Sequence, residues 1–370
     1  MSTPTALTGV PFAELTTFRV GGPARRLVEI ASVDDLIAVL ADAGDEPVMV
    51  LGGGSNLLVS DAGFDGTVAR MVGDGMAVIG GGDHDSDGTV DVIVEAGAVW
   101  DELVARTVAE GWAGIEALSG IPGSVGATPI QNVGAYGQEV ADVVVAVRTW
   151  DRETRSERRF APADCNFAYR DSLFKRTTRY VVTAVEFRLR TGGQGAPVRY
   201  AELARTLGVE VGGSAPVGAV REAVLGLRRS KGMVLDPADH DTWSAGSFFT
   251  NPILSNAVAA AALPDDAPRY PAGDGLLKTS AAWLIEHAGF SKGFGADLTD
   301  GRAQDRVGEE RSGAPRVVVG RVEDHPLAAA QAQDRVPHGR HGGAGADLDP
   351  EGPRQFGVAD GGALTARREP

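Results

Sequence analysis

The chain reads as an α+β protein of more than one domain, and three observations predict this. Short apolar runs of strand length alternate with a few amphipathic helical patterns. Two glycine-rich stretches interrupt them, LGGGSNLLV at 51–59 and SGIPGSVGATPIQNVGAYG at 119–137. The composition then changes abruptly after Leu298. At 370 residues the chain has room for two or three domains, and an apolar fraction of 43% supplies a sizeable core.

Taken in order, residues 27–30 predict a short strand. Ser32 caps a helix over Val33–Ala43, with Asp35 three residues on in a capping-box pattern. Residues 48–51 form a buried strand that runs into the first glycine stretch. A dinucleotide fold of the Rossmann type needs a helix directly after the glycines. Residues 56–60 and 67–71 read instead as short strands, so the loop belongs to another flavin or nucleotide architecture. Residues 77–79 and 90–96 predict strands around an exposed Gly/Asp-rich insertion at 80–88, whose spacing is not that of an EF-hand. Residues 99–110 are helical, 143–150 and 180–189 alternate like strands, 216–229 carry helical periodicity, and 280–287 form a last helix.

Glycine lets a backbone approach a ligand closely. Two such loops predict a large phosphate-bearing cofactor held by main-chain N–H groups. A pair of tight surface turns is the competing reading, but turns need only one or two glycines. The net charge of −15 argues against a nucleic-acid partner. The single cysteine, Cys165, excludes an internal disulfide and a cysteine metal cluster, and reads as a small buried hydrophobe in a reduced setting. No metal is expected. The first residues lack the basic start and apolar core of an export signal. No run approaches the ~20 apolar residues of a membrane span. A cytoplasmic monomer is expected.

Three clusters carry side chains able to do chemistry. In CNFAYRDSLFK (165–175), Arg170 could hold a carboxylate, or simply pair with Asp171. In LRRSKGMVLDP (227–237), Arg228, Arg229 and Lys231 form a basic cluster suited to phosphate, or to a solvated helix end. In SAGSFFTNP (244–252), Ser247 lies beside two aromatics and ahead of Asn251. It is a proton donor in an apolar pocket, or a turn serine.

TTFRVGGPA, LGGGSNLLV, GIPGSVGATPIQNVGAYG, YRDS, RRSKG and GSFFTNP occur in the order seen in the UDP-N-acetylenolpyruvoylglucosamine reductase family. The chain resembles that family from about residue 15 to about residue 295. The resemblance implies an FAD-binding fold of the vanillyl-alcohol oxidase type, with two subdomains followed by a small α/β substrate domain. It places these at 1–95, 96–212 and 213–298. It implies non-covalent FAD, NADPH as reductant and a UDP-sugar substrate whose enolpyruvyl group is reduced. Gly52, Gly53, Gly54, Ser55, Asn56 and Leu57 would line the FAD. So would Ser119, Gly120, Ile121, Pro122, Gly123, Gly126, Ala127, Gln131, Asn132, Gly134, Ala135 and Tyr136. Arg170 would stabilise the enolate and Ser247 would donate the proton. Tyr200 and Lys231 resemble contacts to the diphosphate side, and Asn251 resembles a contact near Ser247.

The chain departs from the family after about Leu298. Residues 299–370 hold one aromatic, Phe356, with no Ile and no Lys. That composition predicts an irregular tail, of the kind a shifted reading frame produces in a GC-rich gene. The family's late glutamate has no counterpart in Glu351 or Glu369. Two alternatives follow: an FAD-binding but catalytically impaired chain, and a different FAD-linked oxidase. Neither glycine stretch holds a histidine for covalent flavin attachment.

Overall fold

The computed structural model describes residues 5–81, 88–244 and 249–289. The chain forms two compact units, Met1–Phe248 and Phe249–Pro370.

The first unit begins with a mixed sheet. It contains β1 (Ala6–Leu7), β2 (Val10–Pro11), β3 (Pro23–Ile30), β4 (Val48–Leu51) and β5 (Phe64–Met71). Strands β3 and β4 flank β5, both parallel to it. Parallel pairing requires crossovers. After a single turn, α1 (Phe12–Leu15), helix α2 (Val33–Ala43) supplies one of them. Its N-terminus is the predicted one: Ser32 Oγ accepts the Asp35 N–H at 3.1 Å, and the Asp35 carboxylate accepts the Ala31 N–H. Leu36 and Val39 are buried against Val28 and Ile30 of β3.

The second crossover, from β4 to β5, is the first glycine stretch. No helix follows it, as the departure from the Rossmann pattern predicts. The strand expected at 56–60 is absent. The chain must return along the sheet to start a parallel strand, so these residues find no pairing partner. Leu57 and Val59 pack on the sheet, while Leu58 is 62% exposed.

A second, wholly antiparallel sheet follows. It contains β6 (Met76–Gly81), β7 (Thr89–Glu95), β10 (Val144–Asp151), β11 (Ser156–Phe160) and β12 (Tyr180–Arg190), in the order β11-β10-β12-β7-β6. The two-residue strands β8 (Gly134–Ala135) and β9 (Gln138–Glu139) form a hairpin between them. Helix α3 (Trp100–Ala109) covers one face. Its Trp100 is fully buried beside Phe187 and donates Nε1–H to the Leu118 carbonyl at 3.1 Å. Cys165 is buried in the same core, and burial pushes its thiol up to about 12. Helices α4 (Ala201–Leu207) and α5 (Val217–Arg229) pack together through Leu203, Ala204, Val220 and Val224.

The second unit holds β13 (Ile253–Ser255), α6 (Asn256–Ala262), β14 (Tyr270–Pro271), β15 (Leu276–Lys278) and α7 (Ala281–His287), with β15 between the other two strands. The helix expected at 280–287 is α7, and Ser280 Oγ caps it by accepting the Trp283 N–H. Most of the Gly/Asp-rich insertion, Ser247 and the tail at 299–370 lie outside the described residues.

Candidate active site

The two glycine stretches meet backbone to backbone. A Cβ on Gly53 would stand 2.7 Å from Gly123 Cα, so only glycine permits the approach. Gly54 has φ of +62°, and a Cβ there would overlap the Leu15 carbonyl. The glycines are thus demanded first by loop-on-loop packing.

The packing leaves donors free. Among the described residues, the main-chain N–H groups of Gly53, Gly54, Ser55, Asn56 and Leu57 meet no acceptor, nor do those of Ile121 and Gly123. A run of unpaired N–H groups is the donor set a pyrophosphate needs. That observation fits FAD. Other predicted residues are spent inside the protein. The Gly120 N–H goes to Asp101 Oδ1 at 2.6 Å, and the N–H groups of Gly126, Ala127 and Asn132 go to backbone carbonyls. Ser119 Oγ donates to the Glu116 carbonyl.

The second stretch is clamped from below. Glu116, 1% exposed, accepts N–H bonds from Gly114, Ala196 and Gln138 Nε2, while Gln138 Oε1 accepts the Ala117 N–H. Asp101 accepts two bonds from Arg221 besides that of Gly120. Burial alone would raise the Asp101 carboxyl, but the Arg221 and Gly120 bonds and the charges of Arg221 and Arg228 prevail and lower it.

Arg170 is brought to the same stretch. Backbone bonds between Ala168 and Asp171 close a two-residue turn, and Arg170 sits on it with φ of +55°. Its guanidinium donates to the Asn132 and Gly134 carbonyls, with Glu139 3.8 Å away. Asp171 pairs with Arg176 rather than with its neighbour. Asn132 has a role in the loop itself. Both amide hydrogens of this buried side chain are used, on Glu139 and on the Ala168 carbonyl, so it ties the loop to the Arg170 turn.

A second group gathers beside the loop. Tyr136 meets Tyr200 edge to face at 5.6 Å. Burial raises the Tyr136 hydroxyl pKa against the opposing charges of Lys231 and Arg228. Lys231 Nζ donates to Glu202 Oε2 at 2.7 Å, a bond that raises its pKa. Arg228 is 7% exposed, and burial lowers its pKa.

Ser247 is not among the described residues, but Ser244 is. Its carbonyl accepts Thr17 Oγ1–H at 2.7 Å, and the Thr17 N–H binds the Gly54 carbonyl. Ser244 therefore lies beside the first glycine stretch. In the second unit, Asn251 Oδ1 accepts the Ala281 N–H and so caps α7. Gln131 and Ala135 are half-buried. Glu116, Gln138, Asp101, Arg221 and Glu202 were not expected from sequence. The only signal was an acid at each end of the approach to the loop, Asp101 and Glu116. Among the described residues no cluster of His, Cys, Asp and Glu could hold a metal, and no helix is long and apolar enough to cross a membrane.

Two sheets joined by glycine loops with a run of free N–H groups define a flavin-dinucleotide-binding protein. A family model described as an FAD binding domain matches residues 24–155. A second, the C-terminal domain of UDP-N-acetylenolpyruvoylglucosamine reductase, matches residues 236–304. The chain is 54% identical over 297 residues to the reductase of that name from Thermobifida fusca, covering 77% of this chain and 82% of the relative. It is 54% identical over 299 residues to that of Streptomyces avermitilis, covering 77% and 80%. The chain therefore belongs to the UDP-N-acetylenolpyruvoylglucosamine reductase family. The crystal structure of the enzyme from Thermus caldophilus shares the fold, with a TM-score of 0.51 at 24% identity over 84% of this chain and 94% of that one.

Proposed function

We propose that this chain reduces the enolpyruvyl double bond of UDP-N-acetylglucosamine enolpyruvate to give UDP-N-acetylmuramate, with NADPH as reductant, in the cytoplasm. FAD, when bound, would supply the hydride relay between NADPH and the substrate double bond. The free N–H groups of residues 53–57, with those of Ile121 and Gly123, would hold its pyrophosphate.

Arg170 uses two of its five donors on the Asn132 and Gly134 carbonyls. The others remain for the substrate carboxylate, where they stabilise the charge that develops as the double bond is reduced. Ser247 gives the proton to the carbon next to the carboxylate. Tyr200 and Lys231 take the diphosphate side of the substrate, and Asn251 takes the role of the asparagine that follows the serine in the family motif.

The observation that carries this reading is the junction of the two glycine stretches, with Arg170 tied to one of them. The test is anaerobic. NADPH should bleach the yellow flavin band of the purified protein, and the UDP-sugar substrate should restore it. A reduced flavin that oxygen reoxidises but the substrate does not would defeat the proposal and favour a different flavin-linked activity.

A further inference from the structure

We propose that Glu202 is a competing anion built into the diphosphate subsite: its carboxylate holds the Lys231 ammonium until the diphosphate of the UDP-sugar takes it over. The inference rests on the reading of Lys231 given above. Lys231 Nζ and Glu202 Oε2 are 2.7 Å apart, with side chains 42% and 32% exposed. Both sit where Tyr136, Tyr200 and the buried Arg228 converge beside the second glycine stretch. That group presents the Lys231 ammonium and two phenols to an incoming anion, with Arg228 buried among them. Glu202 is the acid bonded to Lys231, while Asp101 acts on Arg228.

Helix α4 explains the placement. Tyr200 is its N-cap residue and Glu202 lies in its first turn, so one short element sets the phenol and the carboxylate together. The ion pair does two opposed things. It holds the long Lys231 side chain in place, which helps an arriving diphosphate. It also keeps a negative charge next to where that diphosphate must sit, which opposes it. A partly exposed ion pair is a weak tether. The repulsion falls on a group carrying more than one charge, held close to the carboxylate. Repulsion therefore outweighs tethering, and Glu202 lowers affinity.

Glu202→Gln separates the two effects. A carboxamide oxygen still accepts from Lys231 Nζ, so the tether survives while the charge goes. Isothermal titration of UDP-N-acetylglucosamine enolpyruvate into the FAD-loaded oxidised protein reads the result. The variant should bind ~3- to 10-fold more tightly than wild type at low salt. The advantage should shrink as salt rises. Glu157→Gln, on the exposed edge strand β11, makes the same change in net charge and should leave affinity unchanged. Equal or weaker binding by Glu202→Gln, or the same gain in Glu157→Gln, overturns the proposal. A wild-type protein that binds no UDP-sugar overturns the reading of the site beneath it.

Discussion

Replacing Gly53 by alanine tests the packing of the two glycine stretches. The new Cβ would lie 2.7 Å from Gly123 Cα and 2.9 Å from its carbonyl carbon, both backbone atoms that no rotamer change can move aside. Carbon atoms prefer about 3.5–4.0 Å, so the stretches must part by roughly 1 Å. Overpacking of this kind costs about 1–3 kcal/mol. The loss of unfolded-state freedom on going from Gly to Ala returns about 0.4–1 kcal/mol. The net loss is ~1.5 kcal/mol, and at ~2–4 °C per kcal/mol for a unit of this size the melting temperature falls by ~3–6 °C. A shift of that size also takes an N–H group beyond hydrogen-bond range of a phosphate oxygen. One charge-assisted bond lost weakens FAD binding ~10- to 100-fold. Gly226→Ala supplies the contrast. It lies on the exposed face of α5 with nothing within 4 Å of the added Cβ. The same substitution should there raise stability by about 0.5–1 kcal/mol. Thermal melting and flavin titration of both variants decide the matter. A Gly53→Ala protein with wild-type melting and wild-type FAD affinity would refute the packing argument.

Other outcomes follow from the same geometry. Arg170→Lys removes a fork that spans two carbonyls, so reoxidation of the reduced flavin by substrate should slow ~10²–10³-fold. Flavin reduction by NADPH should change little, and equal loss in both steps under stopped flow would count against the assignment. Cys165, with its thiol pushed up to about 12, should not react with a thiol reagent at pH 8 until denaturant is added. Acid should unfold the protein through its paired carboxyls. Bonds from Arg179 to Asp151 and from Arg159 to Glu186 lower both, and Asp101 is lowered too. Their folded pKa values lie below the unfolded ones, so their stabilisation is whole above about pH 5 and is lost as pH falls through 4 and below. Melting temperatures measured from pH 6 to pH 3 should fall steadily, and a flat profile would mean that these pairs contribute nothing.

Much of the fold is legible in local chemistry. Ser32 and Asp35 announce α2, and the apolar run at Val48–Leu51 announces β4, although only Leu51 of that strand is buried. The failures have physical reasons. Strand β11 reads SERRF and exposes four of its five residues, so it carries no alternation to detect. Leu57–Leu58–Val59 looks like a strand but serves as the return leg of a parallel pairing. Within the candidate site, the glycine stretches and Arg170 stand out in the sequence because single residues carry their pattern. The supports are not. Asp101 and Arg221 are 120 residues apart, and Glu116 reaches Ala196 across 80. Only the folded chain brings such partners together.

The meeting of Gly53 with Gly123 also has a consequence for the order of assembly. One glycine closes the end of β4 in the mixed sheet, and the other belongs to a loop leaving α3 beside the antiparallel sheet. Neither sheet alone carries both sides of this junction. A nascent chain that has folded only the mixed sheet presents its free N–H groups to water and has nothing to clasp. With the flavin held there, as proposed, its capture is a late event that reports the docking of two preformed layers. Yellow colour acquired on refolding should appear only after both layers have formed.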